Sequence, residues 1–308
     1  MKSRWIDDEA AAEADEVGLC AYASRLLGAD PSLVLAGGGN SSVKVVAPDV
    51  FGDPVDVLHV KGSGWDMASL RPQGMAPLRL ATVARLAELD TLTDARMAAE
   101  LRAASLDPGA PAPSVESILH AILPFRYVLH THADAVLALT DTPLGDDLVD
   151  EVFGADVVLV PYVMPGFALA KLCAEVFPAA RTDETVGMVL ANHGLFTFAD
   201  DARTAYENHV TLVARALARI EAGSPTGGGA PDGSSTDAVD DDAVAVDIGA
   251  FGAGDPDAFG TGDRSAIAPG SAAAELGVDG EPIDDPATLA TVAALRLDLS
   301  RVAGHPMV

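Results

Sequence analysis

The sequence predicts an α/β protein with much helix. Nearly half of its residues are apolar (49%) and only 5% are aromatic, with Ala, Val and Leu dominating. Amphipathic stretches of helical spacing alternate with short apolar runs of strand length. Several of those runs end in glycine, asparagine or histidine, the place where α/β proteins gather ligands. With 308 residues the chain has room for about two domains.

Residues 9–28 read as an amphipathic helix stopped by Gly28. Ser32–Ala36 reads as a short buried strand, which runs into Gly37-Gly38-Gly39-Asn40-Ser41-Ser42, and Val43–Val46 as a second strand. A third strand, 55–60, runs into Lys61-Gly62-Ser63-Gly64-Trp65-Asp66. Such turns have an ordinary explanation, because Gly and Asn supply positive φ for hairpins. They also suit an anion: consecutive glycines let backbone N–H groups approach a phosphate, and Asn40, Ser41 and Ser42 add donors. The chain has four lysines, and Lys44 and Lys61 flank these two turns, which marks them as candidate ligand contacts. No G-x-G-x-x-G opens a helix, so this is no dinucleotide fingerprint.

Residues 76–89 and 92–105 read as helices, the second capped near Thr93-Asp94, and 107–113 as a loop. Ser114 is either a further anion donor or a helix N-cap. Glu116 and His120 then share a helix face at i, i+4. His120 suits a supporting partner of the glutamate better than a metal ligand. After a turn at Pro124, a strand ends in His130-Thr131-His132, whose two imidazoles share one face. With Glu116 delivered from the preceding helix, they form half of a divalent-metal site, or else a locally bonded strand end. Helices follow over 133–139 and 146–153, a strand over 157–160, and a helix from Pro165-Gly166 through Phe177. A buried strand over 185–191 ends in Asn192-His193-Gly194, a third histidine at a strand terminus, and 195–198 continues as a strand. Residues 200–222 form a long helix in which His209 reads as structural or solvent-facing. From Gly223 to about Gly262 the composition turns to Gly, Ser, Asp and Ala, the mark of an acidic linker. A helical pattern resumes over 287–302.

The formal charge of −27 excludes nucleic acid or an anionic membrane as the main partner, since such a surface repels phosphate. An Asp-rich, Lys-poor surface on an apolar chain reads as adaptation to high salt. Neither a signal peptide nor a membrane span is evident, and Cys20 and Cys173 make no disulfide framework. The expected compartment is the cytoplasm.

Taken together, Gly38–Lys44, Lys61–Met67, Pro113–Glu116, His130-Thr131-His132 and Asn192-His193-Gly194 resemble the class II aldolase/adducin family. The likeness is greatest to the aldolase half of bifunctional rhamnulose-1-phosphate aldolase/alcohol dehydrogenases, and it covers roughly residues 15–220. It implies a three-layer αβα fold with a central, mostly antiparallel sheet. With the composition change after residue 222, the expected organisation is a class II aldolase-like domain over 1–222, a linker or loop over 223–262 and a C-terminal helical segment over 263–308. The resemblance also implies a homotetramer with active sites at subunit interfaces, and Zn2+, or another divalent ion, on His130, His132 and His193. Glu116 becomes the catalytic acid/base, and Asn40, Ser63, Gly64 and Ser114 grip a substrate phosphate.

The activity so implied is cleavage of a deoxyketose 1-phosphate of the rhamnulose or fuculose kind to dihydroxyacetone phosphate and an aldehyde. Alternatives on the same fold are a metal-dependent sugar-phosphate epimerase or dehydratase, or a non-catalytic adducin-like module. Two departures stand out. Val115 occupies a place where simpler members often carry a second phosphate-binding serine. The dehydrogenase half is missing, which raises the prospect of a separate dehydrogenase polypeptide.

Overall fold

The computed structural model describes residues 1–35, 37–49 and 51–223. The predicted linker beyond Gly223 and the helix over 287–302 lie outside the described residues. Seven strands form one sheet in the order β3-β2-β1-β4-β7-β6-β5. They are β1 (Asn40–Pro48), β2 (Pro54–Lys61), β3 (Met75–Arg79), β4 (Tyr127–Thr131), β5 (Val157–Val160), β6 (Gly187–Leu190) and β7 (Gly194–Ala199). Every neighbouring pair is antiparallel except β5 and β6. This is the mostly antiparallel sheet expected.

Side chains alternate across the sheet, and each face carries its own helices. Val43, Leu129, Val189 and Leu195 pack with buried residues of α2 (Glu16–Gly28), α6 (Asp134–Thr140), α7 (Gly145–Phe153) and α9 (Ala202–Gly223). Leu58, Leu78, Val128, Met188 and Phe196 face α3 (Leu80–Leu86), α4 (Asp94–Ala103), α5 (Ser117–Ile122) and α8 (Phe167–Ala180). Two apolar clusters on one face and one on the other make the three layers.

Three predicted elements differ from the structure. Residues 9–28 are two helices, α1 (Asp7–Ala11) and α2, because the Asp15 side chain accepts the Gly18 N–H and starts a new helix. Residues 32–36 form no strand among the described residues. Asp30 takes their donors locally: its carbonyl accepts the Leu33 N–H, and its carboxylate accepts the backbone N–H and hydroxyl of Ser32. The Ser32 carbonyl goes instead to the Asp134 N–H at the start of α6. The segment 76–89 begins as strand β3 before turning into α3. Its Pro77 is tolerated because β3 lies at the sheet edge. By contrast, Thr93 caps α4 as read, accepting the Arg96 N–H.

His209 is fully buried and ties α9 to the sheet. Thr197 Oγ1 donates to the Ala205 carbonyl, so it accepts from His209 Nδ1 at 2.9 Å, and Nε2 then accepts from Thr131 Oγ1 at 2.7 Å. Burial drives its pKa from the ordinary 6.5 down to about 3, so the folded protein holds it neutral. The unfolded chain takes up a proton below pH 6.5, and stability therefore falls as pH drops from 6.5 toward 3. Urea titrations should show wild type losing about 2 kcal/mol more than His209→Gln between pH 7 and pH 5. Equal losses would mean that the ring is protonated in the fold.

Close packing also constrains Gly28. A Cβ there would lie 2.2 Å from the Ala68 N and 2.5 Å from the Met67 carbonyl carbon, both backbone atoms. Gly28→Ala is expected to cost roughly 1–3 kcal/mol, read as a lower urea midpoint. An unchanged midpoint would show that the 67–69 turn moves freely.

Candidate metal and acid–base site

The pleat of β1 and β4 builds the site. Asn40 stands opposite His130 and Ser42 opposite Val128, so these side chains face α5. Ser41 and Thr131 point to the other face, toward α2 and α9. The Ser41 hydroxyl accordingly meets Ser24 Oγ at 2.6 Å, fully buried. That corrects the expectation that Ser41 donates to an anion: its strand parity turns it away.

His130 is fully buried at the end of β4, its ring stacked on Phe196 at 4.1 Å. Its Nδ1–H donates to the Leu195 carbonyl at 3.1 Å, which fixes the tautomer and leaves Nε2 as a lone pair. His132 follows just past the strand. His193 arrives from the β6–β7 turn, where Asn192 adopts a left-handed φ of 55° and its side-chain amide donates to Asp141 Oδ1 at 2.8 Å. The next position requires glycine, because a Cβ on Gly194 would lie 2.3 Å from the Thr131 carbonyl oxygen. One ligand atom from each of His130, His132 and His193 falls within 4.8 Å of the others.

Glu116 sits at the N-terminus of α5, not within the helix as the sequence suggested. The loop carrying it is stapled to the second glycine turn: Ser63 N–H donates to the Ala112 carbonyl at 2.8 Å, and Gly62 bridges to Pro113. Glu116 Oε1 lies 3.3 Å from His193 Nε2, and Oε2 lies 3.8 Å from His130 Nε2. Asn40 Nδ2 donates to Glu116 Oε2 at 2.5 Å and to Ser114 Oγ at 3.1 Å.

Burial pushes the Glu116 carboxyl above its ordinary range, against the opposing pull of His193, Asn40 and Lys61. Burial holds all three imidazoles below their ordinary pKa, His130 furthest, with His132, His193 and His120 adding to the effect. Neutral imidazoles are what a metal ion needs.

The arrangement fits a divalent cation on a further count. His130 Nε2, His193 Nδ1 and Glu116 Oε1 are buried and make no hydrogen bond among the described residues. Orphaned buried polar atoms are costly, and three of them on residues of one histidine–glutamate cluster are accounted for by a bound ligand. His130, His132 and His193 can hold the ion, with Glu116 alongside.

The lysines divide. Lys61 Nζ donates to the Trp65 carbonyl at 2.6 Å and the Gly37 carbonyl at 3.3 Å, clasping the two glycine turns together beside Glu116. Lys44 does not reach the site. Its Nζ donates to the carbonyls of His120 and Phe125, both at 2.8 Å, closing the C-terminal end of α5. Lys44, half-buried at that helix end and away from Glu116, serves the fold. Within the second turn the N–H groups of Gly62, Ser63 and Trp65 are already bonded to carbonyls. The donors left to an anion are the hydroxyls of Ser63 and Ser114 and the backbone around Gly64, whose φ is 80°.

The His120 contacts were only partly legible in sequence. Its spacing from Glu116 suggested a supporting role, but its actual partners, Asn40 and Ser42, come from a strand 78 to 80 residues away.

His193→Ala should weaken binding of divalent metal by more than about 100-fold, read by metal analysis after dialysis. Stoichiometric retention would remove His193 from the ligand set.

Comparison with known proteins places this geometry. Residues 19–220 match the family "Class II Aldolase and Adducin N-terminal domain". The chain is 40% identical to the N-terminal class II aldolase domain of a conserved protein from Thermoplasma acidophilum, with a TM-score of 0.66, covering 71% of this chain and 99% of that one. It is also 33% identical over 216 residues to the uncharacterized oxidoreductase YuxG of Bacillus subtilis, which is 70% of this chain but 31% of that protein. The chain thus spans about a third of the length of that relative. On the extent of the family match, with the shared αβα layers, this chain belongs to the class II aldolase and adducin N-terminal domain family.

Proposed function

We propose that the protein is a zinc-dependent aldolase that cleaves a deoxyketose 1-phosphate to dihydroxyacetone phosphate and an aldehyde. The observation that carries this reading is the convergence of three neutral imidazoles and one buried, uncommitted carboxylate oxygen beside two glycine turns. An adducin-like module has no use for orphaned ligand atoms in its interior, so catalysis is favoured over pure interaction.

When bound, the cation supplies Lewis-acid stabilisation of the charge that develops on the ketone oxygen as the carbon–carbon bond breaks. The chain's own residues do the rest. In cleavage the C4 hydroxyl passes its proton to Glu116, the C3–C4 electron pair moves toward the C2 carbonyl, and the carboxyl so formed returns the proton to C3. Glu116 Oε1 is the atom that carries the proton at C3. Its raised pKa suits that role, because a carboxyl that titrates nearer neutrality both accepts and returns a proton. Asn40 holds the second oxygen and orients the carboxylate. Ser63, Gly64 and Ser114 hold the phosphate, and Lys61 fixes the turns and adds positive charge. Val115, half exposed at the lip, supplies no donor, so the grip on phosphate is a light one.

The same proposal takes the assembly as a homotetramer, in the cytoplasm of a cell with high internal salt, as the acidic composition suggests.

The test is condensation of dihydroxyacetone phosphate with lactaldehyde in high salt, with and without zinc. Chelator should abolish a ketose 1-phosphate product, and Glu116→Gln should lower kcat by about 10²–10⁴-fold while keeping its zinc. Zinc bound stoichiometrically with no product would point to an epimerase or dehydratase. Full activity of Glu116→Gln would remove its assigned role.

A further inference from the structure

Behind Glu116 runs a chain of hydrogen bonds that all point the same way. His120 is fully buried on α5 and lies between two side chains of β1. Its Nδ1 is 2.8 Å from Ser42 Oγ, and its Nε2 meets Asn40 Oδ1. The direction follows from chemistry. Glu116 Oε2 accepts only, so the amide nitrogen of Asn40 must face it and Oδ1 must face His120. An amide oxygen accepts only, so His120 Nε2 carries the proton. Nδ1 is then a lone pair that accepts from the Ser42 hydroxyl. Burial, reinforced by Lys44, holds the ring neutral, with its pKa lowered to about 3.

From this geometry we infer that His120 is a positioning residue for the acid–base step: its Nε2–H locks the Asn40 amide in the one orientation that presents N–H groups to Glu116 Oε2 and Ser114 Oγ. The inference rests on the aldolase reading of Glu116. Without the Nε2 donor, nothing among the described contacts of Asn40 distinguishes its two amide orientations except Glu116 itself. A flipped amide would set its oxygen against the carboxylate. The His120 side chain makes no hydrogen bond to a candidate metal ligand, and its hydrogen-bonded route to the Glu116 carboxylate runs through Asn40, beside a weaker electrostatic effect on His130.

Two polar substitutions separate positioning from packing. In His120→Gln the side-chain amide nitrogen takes the place of Nε2 and still donates to Asn40. In His120→Asn the shorter amide reaches Ser42 alone. Both bury an amide at the same place, so a purely structural role predicts similar damage. The positioning role predicts kcat within about threefold of wild type for His120→Gln, and a loss of about 10- to 100-fold for His120→Asn, with KM little changed and zinc retained.

A second readout is independent of turnover. The chain has only three asparagines, Asn40, Asn192 and Asn208, so 15N-asparagine labelling gives three side-chain amide pairs, with a fourth from the substituted position in His120→Asn, and Asn40→Ala in each background assigns the Asn40 pair. The Asn40 pair should keep its shifts and slow hydrogen exchange in His120→Gln and lose both in His120→Asn. Equal kcat losses in the two variants, or an Asn40 amide unchanged in His120→Asn, would overturn the inference. If wild type shows no aldolase activity, the amide spectra still decide whether His120 locks Asn40, and only the identity of the reaction falls. If His120→Asn does not fold, Ser42→Ala replaces it. Ser42→Ala removes the hydroxyl that donates to Nδ1 and leaves the ring held by Asn40 alone, and it should change the 15N shifts of both the His120 ring and the Asn40 amide. An unaltered Asn40 amide there would equally overturn the inference.

Discussion

The register between β1 and β4 is the constraint on which the site depends. Asn40 opposite His130 places the hydrogen-bond partner of Glu116 and one histidine of the candidate metal site side by side on the same face. A slip of one residue would send both to the α2 and α9 side and bring Ser41 and Leu129 into the site. Both faces are buried, so that slip would also exchange the contents of two apolar clusters. The register that packs the core is therefore the register that assembles the site.

The same alternation explains why so many polar groups are tolerated in the interior. On one face Ser42, His120, Asn40 and Glu116 satisfy one another in series. On the other, Thr131, His209 and Thr197 do the same behind the metal strand, and Ser24 pairs with Ser41. Each network is matched donor to acceptor, which holds its side chains in single orientations. Imidazoles in the middle of such chains stay neutral. Among the described residues four buried side-chain atoms lack a partner: His59 Nδ1, on β2, and three on residues of the candidate site, His130 Nε2, His193 Nδ1 and Glu116 Oε1. A ligand bound among those site residues would supply partners that the fold itself does not.

The glycines near the site are there for close approach as much as for turning. Gly194 lets β7 begin against the Thr131 carbonyl, and Gly39 brings its backbone against the His130 carbonyl and Met67 Sδ. Lys61 then links the two glycine turns through their carbonyls, and the Pro113 loop is laced to the second of them. Three chain segments far apart in sequence are thus pinned around one carboxylate.

By itself the sequence determined the α/β class, the three histidines at strand ends and the glutamate near them, while the αβα layering came from the family resemblance. Those features rest on local rules: two-residue alternation, turn chemistry and the spacing of ligands. It also marked His120 as a supporting residue through its four-residue distance from Glu116. Local rules failed where a distant partner decided. Ser32–Ala36 has the composition of a strand, but its Ser32 carbonyl is taken by the Asp134 N–H a hundred residues on, at the start of α6. Lys44 and Lys61 look equivalent beside their glycine turns, yet one closes the end of α5 and the other clasps the site. Ser41 and Ser42 are neighbours with the same side chain, and only the pairing of β1 with β4 assigned one to α2 and the other to His120. The tertiary structure decided these because a side chain's role here depends on which face of a shared sheet it occupies, and that is fixed by strands more than seventy residues apart.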